Sequence, residues 1–124
     1  MEHNMVGWFE IPVTDMEKAK KFYEEVLDIY SQVQDFHVTE MGGFPFLETK
    51  PGAAGFLIKN EAYQASEEKG ALIYSSSTDI STQLKKVLKA GRKVLQAKTL
   101  IAEDTGFMGL FVDSERNRIA LHAR

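Results

Sequence analysis

The alternation of apolar and polar residues predicts that this chain opens with a strand and a helix. Residues 6–13 alternate as a β-strand with one apolar face. That face carries Phe9, Ile11 and Val13. Residues 15–27 follow with apolar positions at three- and four-residue spacing, which is typical of an amphipathic helix. Thr14 and Glu17 form a capping-box pattern, so we expect Thr14 to cap this helix.

The remaining pattern predicts three strands, a polar linker and then the same order of elements again. The first three strand signals are 29–38, 44–47 and 54–58. Gly42 and Gly43 are expected to form a turn between the first two. Residues 61–69 are expected to be a linker, and a strand over 70–77 leads to a helix capped by Thr78 or Asp79. The last three strand signals are 93–99, 108–113 and 118–123.

The two halves form an internal repeat. Thr14-Asp15 precedes Thr78-Asp79 by 64 residues, and segment 56–58 falls on 119–121 at an offset of 63. A repeated strand–helix–three-strand unit predicts a single α+β domain over residues 1–124. Its two βαβββ modules, at about 5–60 and about 70–124, would form a cupped, partly closed mixed sheet with helices outside. The concave side of such a sheet is where a small ligand would bind.

Composition and charge narrow the classes of function. The chain has 124 residues, of which 44% are hydrophobic, and a net charge of −3. This charge argues against a nucleic-acid partner. The chain has no cysteine, which excludes disulfides and thiolate metal ligands. No apolar run is long enough to span a membrane and no secretory signal is visible, so we expect a cytoplasmic protein without a membrane partner.

Two stretches of sequence resemble one known superfamily. These are W-F-E-I-P-V-T-D-M-E-K-A-K-K-F-Y-E-E-V-L at 8–27 and G-F-M-G-L-F-V-D-S-E-R-N-R-I-A-L-H at 106–122. They resemble the opening and closing motifs of the vicinal oxygen chelate superfamily, which includes glyoxalase I, bleomycin-resistance proteins and extradiol dioxygenases. The resemblance implies the paired βαβββ fold and commonly a homodimer. It does not identify the reaction, because this fold serves lyases, isomerases, dioxygenases and non-catalytic binding proteins.

The resemblance also implies where a metal would be held. In catalytic members, four side chains on the concave faces, usually His and Glu, hold one divalent ion. Those positions fall here on Trp8, Leu57, Leu72 and Ala120. None of these side chains coordinates a divalent cation. We therefore expect no metal and no other cofactor, and a different use of the cleft.

The cleft face suggests candidate site residues. Alternation places Glu10 on the same face as Trp8, and His122 on the same face as Ala120. The candidate ligand-binding residues are Trp8, Glu10, Leu57, Tyr74, Arg118, Ala120 and His122. A buried carboxylate needs a donor, so we expect Glu10 to bond to His122 or Arg118. The alternative is that these residues only join the two sheets. His3 and His37 receive no role.

Three functions compete. The first is a small-molecule binding protein with a metal-free cleft, in the manner of the bleomycin-resistance proteins. The second is a metal-independent lyase or isomerase with Glu10 or His122 as the acid/base. The third, a metal-dependent glyoxalase-type lyase or dioxygenase, ranks last because of the four apolar positions. We expect a homodimer, since open sheets leave edges and apolar surface to cover. Whether the cleft lies within one chain or between swapped modules stays open, as does the ligand.

Overall fold

The computed structural model describes residues 4–36 and 39–124, so His3 and His37 lie outside the described residues. The order of elements confirms the predicted α+β fold of two βαβββ modules. The first module contains β1 (Trp8–Pro12), α1 (Met16–Leu27), β2 (Gln32–Asp35), β3 (Glu40–Gly43) and β4 (Ala54–Lys59). The second contains β5 (Ile73–Ser76), α2 (Ile80–Lys89), β6 (Val94–Ala102), β7 (Gly106–Val112) and β8 (Arg118–Ala123). Neither helix of the described segments is long and apolar enough to cross a membrane.

Each module builds its own four-stranded mixed sheet. Sheet A has the order β1-β4-β3-β2, and sheet B has the order β5-β8-β7-β6. The first strand of each module pairs in parallel with the last, and the other pairs are antiparallel. Within the described ranges no strand pairing joins the two sheets, so β1 and β5 are both edge strands.

The third strand lies earlier in the chain than the sequence predicts. It covers Glu40–Gly43, whereas 44–47 lies outside any strand. Gly42 and Gly43 belong to this strand and do not form a turn. A Cβ on Gly42 would lie 3.1 Å from the sulfur of Met16, and a Cβ on Gly43 would lie 3.5 Å from the Phe56 ring. Gly42 therefore allows the close approach of Met16, whereas a Cβ on Gly43 would make an ordinary van der Waals contact.

Aspartates cap both helices. Asp15 accepts from the backbone N–H of Lys18 at 3.1 Å, and Asp79 accepts from that of Thr82 at 3.1 Å. The prediction that Thr14 caps α1 is wrong, because its N–H and hydroxyl both donate to Glu115 in the other module. Of the two caps proposed for α2, the structure uses Asp79.

The strand register shows that the first and last strands of the two modules correspond at the same distance in the sequence. Phe9 pairs with Gly55 in sheet A, and Ile73 pairs with Ile119 in sheet B, so both pairs are related by 64 residues. The offset of 63 for the last strand is therefore wrong. Leu57 corresponds to Leu121. The two leucines are both fully buried.

Both helices and one face of each sheet share a single hydrophobic core. The core includes Ile11, Met16, Phe22, Tyr23 and Leu57 from the first module and Ile80, Leu84, Phe111, Ile119 and Leu121 from the second. The rings of Phe22 and Phe111 pack across the module boundary with centroids 6.0 Å apart. The alternate side chains of each sheet point to the opposite side, which we call the helix-free face. In sheet A this face includes Trp8, Glu10 and Phe56, and in sheet B it includes Tyr74, Arg118, Ala120 and His122.

A buried polar cluster, which we call the polar joint, links the turn between β7 and β8 to the first module. The Glu115 side chain is almost fully buried. Its Oε1 accepts from the backbone N–H of Thr14 at 2.7 Å, the Thr14 hydroxyl at 2.9 Å and the N–H of Asp15 at 2.7 Å. Its Oε2 lies 3.7 Å from the Lys18 ammonium. These bonds satisfy a buried carboxylate and hold the start of α1 against the second module.

Asp113 and Asn117 complete the polar joint. The buried Tyr23 hydroxyl donates to Asp113 Oδ2 at 2.5 Å, and the Asn117 side chain donates to the Pro12 carbonyl oxygen at 2.8 Å. Burial raises the pKa of Asp113, while the hydrogen bonds from Tyr23 and Asn117 oppose that rise. Burial, together with the neighbouring Asp113 charge, raises the pKa of Tyr23 well above 10.0.

Replacing Tyr23 by Phe should lower the free energy of unfolding by about 1–3 kcal/mol, because a buried carboxylate oxygen loses a donor while the ring stays in place. Urea denaturation measures this loss. Tyr63→Phe is the matched control, since this tyrosine is 48% exposed and its hydroxyl makes no hydrogen bond with the described residues. It should change stability by less than about 0.5 kcal/mol. Equal losses in the two variants would contradict a structural role for the polar joint.

The raised pKa of Tyr23 predicts a loss of stability at alkaline pH. Above pH 10.0 the folded state keeps a proton that the unfolded state releases, so the free energy of unfolding falls as the pH rises. Below pH 10.0 this contribution is fully present. Urea denaturation below and above pH 10.0 should show that the free energy of unfolding falls more steeply with pH in the wild type than in Tyr23→Phe. Parallel curves would show that Tyr23 does not couple to folding.

Candidate functional site

A cavity of about 550 Å³ opens on the helix-free face of sheet A. It is lined by Tyr30, Gln32, Gln34, Phe36, Met41, Gly43, Phe44, Pro45 and Phe56. The register explains this set, because Gln32 pairs with Gly43 and Gly43 pairs with Phe56, which places all three in one row across the sheet. Glu10 continues the row, since it pairs with Phe56. The volume falls within the range of small-ligand sites.

The lining of this cavity combines aromatic rings with two side-chain amides. Tyr30 is 86% exposed and Phe36 is 53% exposed, so both rings can contact a ligand. The amides of Gln32 and Gln34 each offer a donor and an acceptor from alternate positions of β2. Such a surface suits a planar, largely apolar molecule with a few polar groups.

Trp8 and Glu10 lie beside this cavity on the edge strand. Trp8 is 65% exposed, while Glu10 is half-buried. In the part of the chain that the structure describes, the Glu10 carboxylate makes no hydrogen bond or ion pair. The expected bond from Glu10 to His122 or Arg118 is therefore wrong within one chain. The physical reason is that Glu10 belongs to sheet A and both donors to sheet B, and no strand pairing joins the sheets.

On sheet B, Tyr74 and Ala120 are paired neighbours on the helix-free face. Tyr74 is 51% exposed, whereas Ala120 is fully buried. His122 Nε2 lies 2.6 Å from the Thr105 carbonyl oxygen. A carbonyl oxygen only accepts, so Nε2 carries the proton of this bond, and in the neutral ring Nδ1 remains an acceptor.

Arg118 opens the same strand. Its backbone N–H donates to the Ser66 carbonyl oxygen at 3.4 Å, which places the polar segment between the modules next to this residue. Its Nε is shielded from solvent and has no hydrogen-bond partner among the described residues. Ion pairs within the described ranges also leave Arg118 out.

The structure removes Leu57 from the candidate set and adds residues that the sequence analysis missed. Leu57 pairs with Ile11 and faces the helices, so Phe56 is the residue of β4 on the helix-free face. Gln32 and Gln34 were missed as well. Applying the offset of 64 to the last strand would have identified Phe56 from the sequence, because it then matches Ala120. The two glutamines at alternate positions were a weaker signal.

A second cavity of about 550 Å³ lies between the edges of the two sheets. Its lining comes from both modules and includes Phe9, Tyr23, Phe46, Leu47, Ser75 and Gln83. Tyr74 is the one predicted ligand-binding residue that lines it. The seven predicted residues therefore do not meet in a single cavity of this chain. They divide between the helix-free faces of sheet A and sheet B, apart from Leu57.

The four positions that would hold a metal do not fit one. With the corrected register they are Trp8, Phe56, Leu72 and Ala120. Three of these side chains have no nitrogen, oxygen or sulfur atom, and the indole N–H of the fourth is a donor only. Across residues 4–36 and 39–124, no three His, Cys, Asp or Glu residues are grouped so that they could hold a metal ion.

Comparison with known proteins relates both the sequence and the fold to one group. Residues 6–27 match the family model described as bleomycin resistance protein-like N-terminal. A glyoxylase/bleomycin resistance protein/dioxygenase domain from Frankia sp. EAN1pec superimposes with a TM-score of 0.75 at 15% identity, covering 98% of this chain and 92% of that one. The fosfomycin resistance protein FosX from Listeria monocytogenes gives a TM-score of 0.68 at 13% identity, covering 100% and 93%. No curated protein sequence matches this chain.

Glyoxalase I from Zea mays is also similar, with a TM-score of 0.72 at 18% identity over 93% of this chain. The present chain spans 44% of the length of that protein. Identities this low establish the fold and leave activity open. The resemblance to the vicinal oxygen chelate superfamily is thus confirmed: the chain has its glyoxalase-like fold, and residues 6–27 carry the bleomycin-resistance-like opening sequence.

Proposed function

We propose that this chain binds a small, largely apolar molecule on the helix-free faces of its sheets and does so without a metal. The observation that carries the proposal is the cavity of about 550 Å³ over sheet A, with its aromatic rings and two amides. The four apolar side chains at the metal-holding positions support a metal-free use of this surface. The match of residues 6–27 to a bleomycin-resistance-like model agrees with a role in binding. The cytoplasmic location expected from the sequence stays a prediction.

We further propose that the binding form is a homodimer. Trp8 and Tyr74 expose more than half of their surface on the two helix-free faces. The opposite faces of the two sheets pack with both helices in one core, and the helix-free faces are not part of that core. In the proposed dimer, the helix-free face of sheet A in one subunit lies opposite that of sheet B in its partner. The ligand would then lie between sheet A of one subunit and sheet B of its partner. Of the two forms of the cleft, we therefore favour the one between swapped modules over the one within a single chain.

A metal-independent lyase or isomerase is the second candidate. Glu10 is half-buried beside the cavity and has no donor among the described residues, so its carboxylate is free to accept a proton from a bound molecule. The Nδ1 of His122 is a second acceptor on the other sheet. Turnover of a molecule that binds, together with its loss in Glu10→Gln at unchanged affinity, would favour this candidate over simple binding.

Binding can be followed through Trp8, since it is the single tryptophan of the chain and shares the helix-free face of sheet A with Phe56, whose register partner Glu10 is two residues along β1. A neutral aromatic probe such as N-phenylnaphthylamine should change its fluorescence in a saturable titration. Replacing Phe56 by Ala should weaken the binding by about tenfold or more, because a ring that lines the cavity is lost. Leu88→Ala is the matched control, since Leu88 is a 57% exposed side chain on α2 outside both cavities. Similar affinities in the two variants would place the probe elsewhere.

Divalent metal ions should not bind specifically. At one equivalent, Zn²⁺, Ni²⁺ and Mn²⁺ should leave the melting temperature unchanged, since binding to the native state would raise it. Equilibrium dialysis against each ion measures directly how many ions are bound per chain. One equivalent of tightly held ion that is retained in the wild type and lost in the double variant Glu10→Gln, His122→Ala would contradict this prediction.

Analytical ultracentrifugation at tens of micromolar should give twice the chain mass of 14.0 kDa. Replacing Trp8 by Glu should shift the protein toward monomer, because a charge would have to be buried in the interface. Leu88→Glu adds the same charge at an exposed helix position and should leave the mass unchanged. A monomeric wild type would contradict the dimer.

A further inference from the structure

A cation, Arg118, lies on the helix-free face of sheet B. Arg118 pairs with Val112 across the sheet and shares its face with Ala120, two residues along β8. Tyr74, which pairs with Ala120, presents a half-exposed ring on the same face. The guanidinium therefore belongs to the surface that the proposed cleft would use.

The bonding of Arg118 differs from that of the two neighbouring arginines. Arg92 Nε donates to the Asp113 carbonyl oxygen at 2.9 Å, and Arg116 Nε donates to a Glu67 carboxylate oxygen at 3.3 Å. Arg118 Nε is buried and has no acceptor among the described residues. The two terminal nitrogens of Arg118 also make no hydrogen bond to the described residues. Unlike Nε, they are not buried, so solvent reaches them.

A guanidinium with one shielded N–H and an open end is suited to an oxyanion. Its two terminal nitrogens each present an N–H at the open end, and these two parallel N–H groups match the two oxygens of a carboxylate or phosphate group. A small anion can replace the water at this open end, and no acidic side chain among the described residues pairs with the guanidinium. We propose that Arg118 binds the oxyanion of an acidic ligand, with the apolar part of the ligand against Tyr74. This inference rests on the proposed function, since it names the class of molecule that would enter the cleft.

The test uses the whole chain and three probes. Benzoate supplies a carboxylate with a ring, inorganic phosphate supplies an oxyanion without a ring, and benzamide keeps the shape of benzoate without its charge. NMR spectra of the arginine Nε–H groups report on each arginine separately. Benzoate should shift the Arg118 signal in a saturable manner and leave the Arg92 and Arg116 signals in place, while benzamide should not shift it.

Replacing Arg118 by Gln should raise the dissociation constant for benzoate by at least about tenfold, which corresponds to the loss of a charge-assisted pair. Arg116→Gln is the matched control. Arg116 is an exposed side chain two residues before Arg118, so this variant removes the same charge and should leave the dissociation constant for benzoate unchanged. If Arg118→Gln does not fold, Arg118→Lys keeps the charge, removes the paired N–H geometry and should also weaken binding. Equal effects at Arg116 and Arg118 would overturn the proposal.

The two anions distinguish the sources of the oxyanion. Saturable shifts with both would support a general oxyanion receptor, and a shift with benzoate alone would support a carboxylic acid with a ring. Absence of any Arg118 shift with both anions would overturn the inference. The proposed function fails separately, when the neutral probe does not bind near Trp8 and Phe56. If that probe binds but neither anion shifts the Arg118 signal, the role of Arg118 is rejected and the proposed binding function is retained.

Discussion

The carboxylate of Glu115 is the contact on which the arrangement of the two modules depends. It is almost fully buried and accepts three hydrogen bonds from Thr14 and Asp15, the residues that start α1. A buried charge without these donors would be strongly unfavourable, and the donors would be unsatisfied without it. In residues 4–36 and 39–124 the two sheets share no strand pairing, so the polar joint and the common core together hold one module against the other. Asp113 extends the joint to Tyr23 in the middle of α1.

This joint determines which surfaces are left for a ligand. Because α1 and α2 pack into a core shared with both sheets, neither helix covers the helix-free faces, where Trp8 and Tyr74 are more than half exposed. The two faces differ in chemistry. Sheet A offers rings, two amides and the Glu10 carboxylate, whereas sheet B offers Tyr74 and the guanidinium of Arg118, and neither charged group has a partner among the described residues. An acidic molecule with an apolar body would be complementary to the second face and would fit the aromatic lining of the first.

The metal-holding positions show how a fold can keep its geometry while the chemistry changes. The corrected register still places one residue from each of β1, β4 and β8 on the helix-free faces, with Leu72 just before β5. All of these side chains are apolar or aromatic, so the helix-free faces present packing surface at the positions where the family resemblance implies metal ligands. The match in fold to maize glyoxalase I, at 18% identity, therefore says little about which reaction, if any, occurs here.

The sequence by itself determined the repeated βαβββ order, both helices and the apolar face of β1, because these depend on local periodicity and on capping aspartates. It misplaced β3, since a glycine pair signals a turn locally and only the packing of Met16 against Gly42 shows a reason for glycine in the strand. It also placed Leu57 on the wrong face, because a shift of one residue reverses every side chain of a strand. Only the tertiary structure decided that Glu10 and Arg118 lie on separate sheets, and that Glu115 in the turn between β7 and β8 holds the modules together. Such contacts join residues about a hundred positions apart in the chain, and no local pattern encodes them.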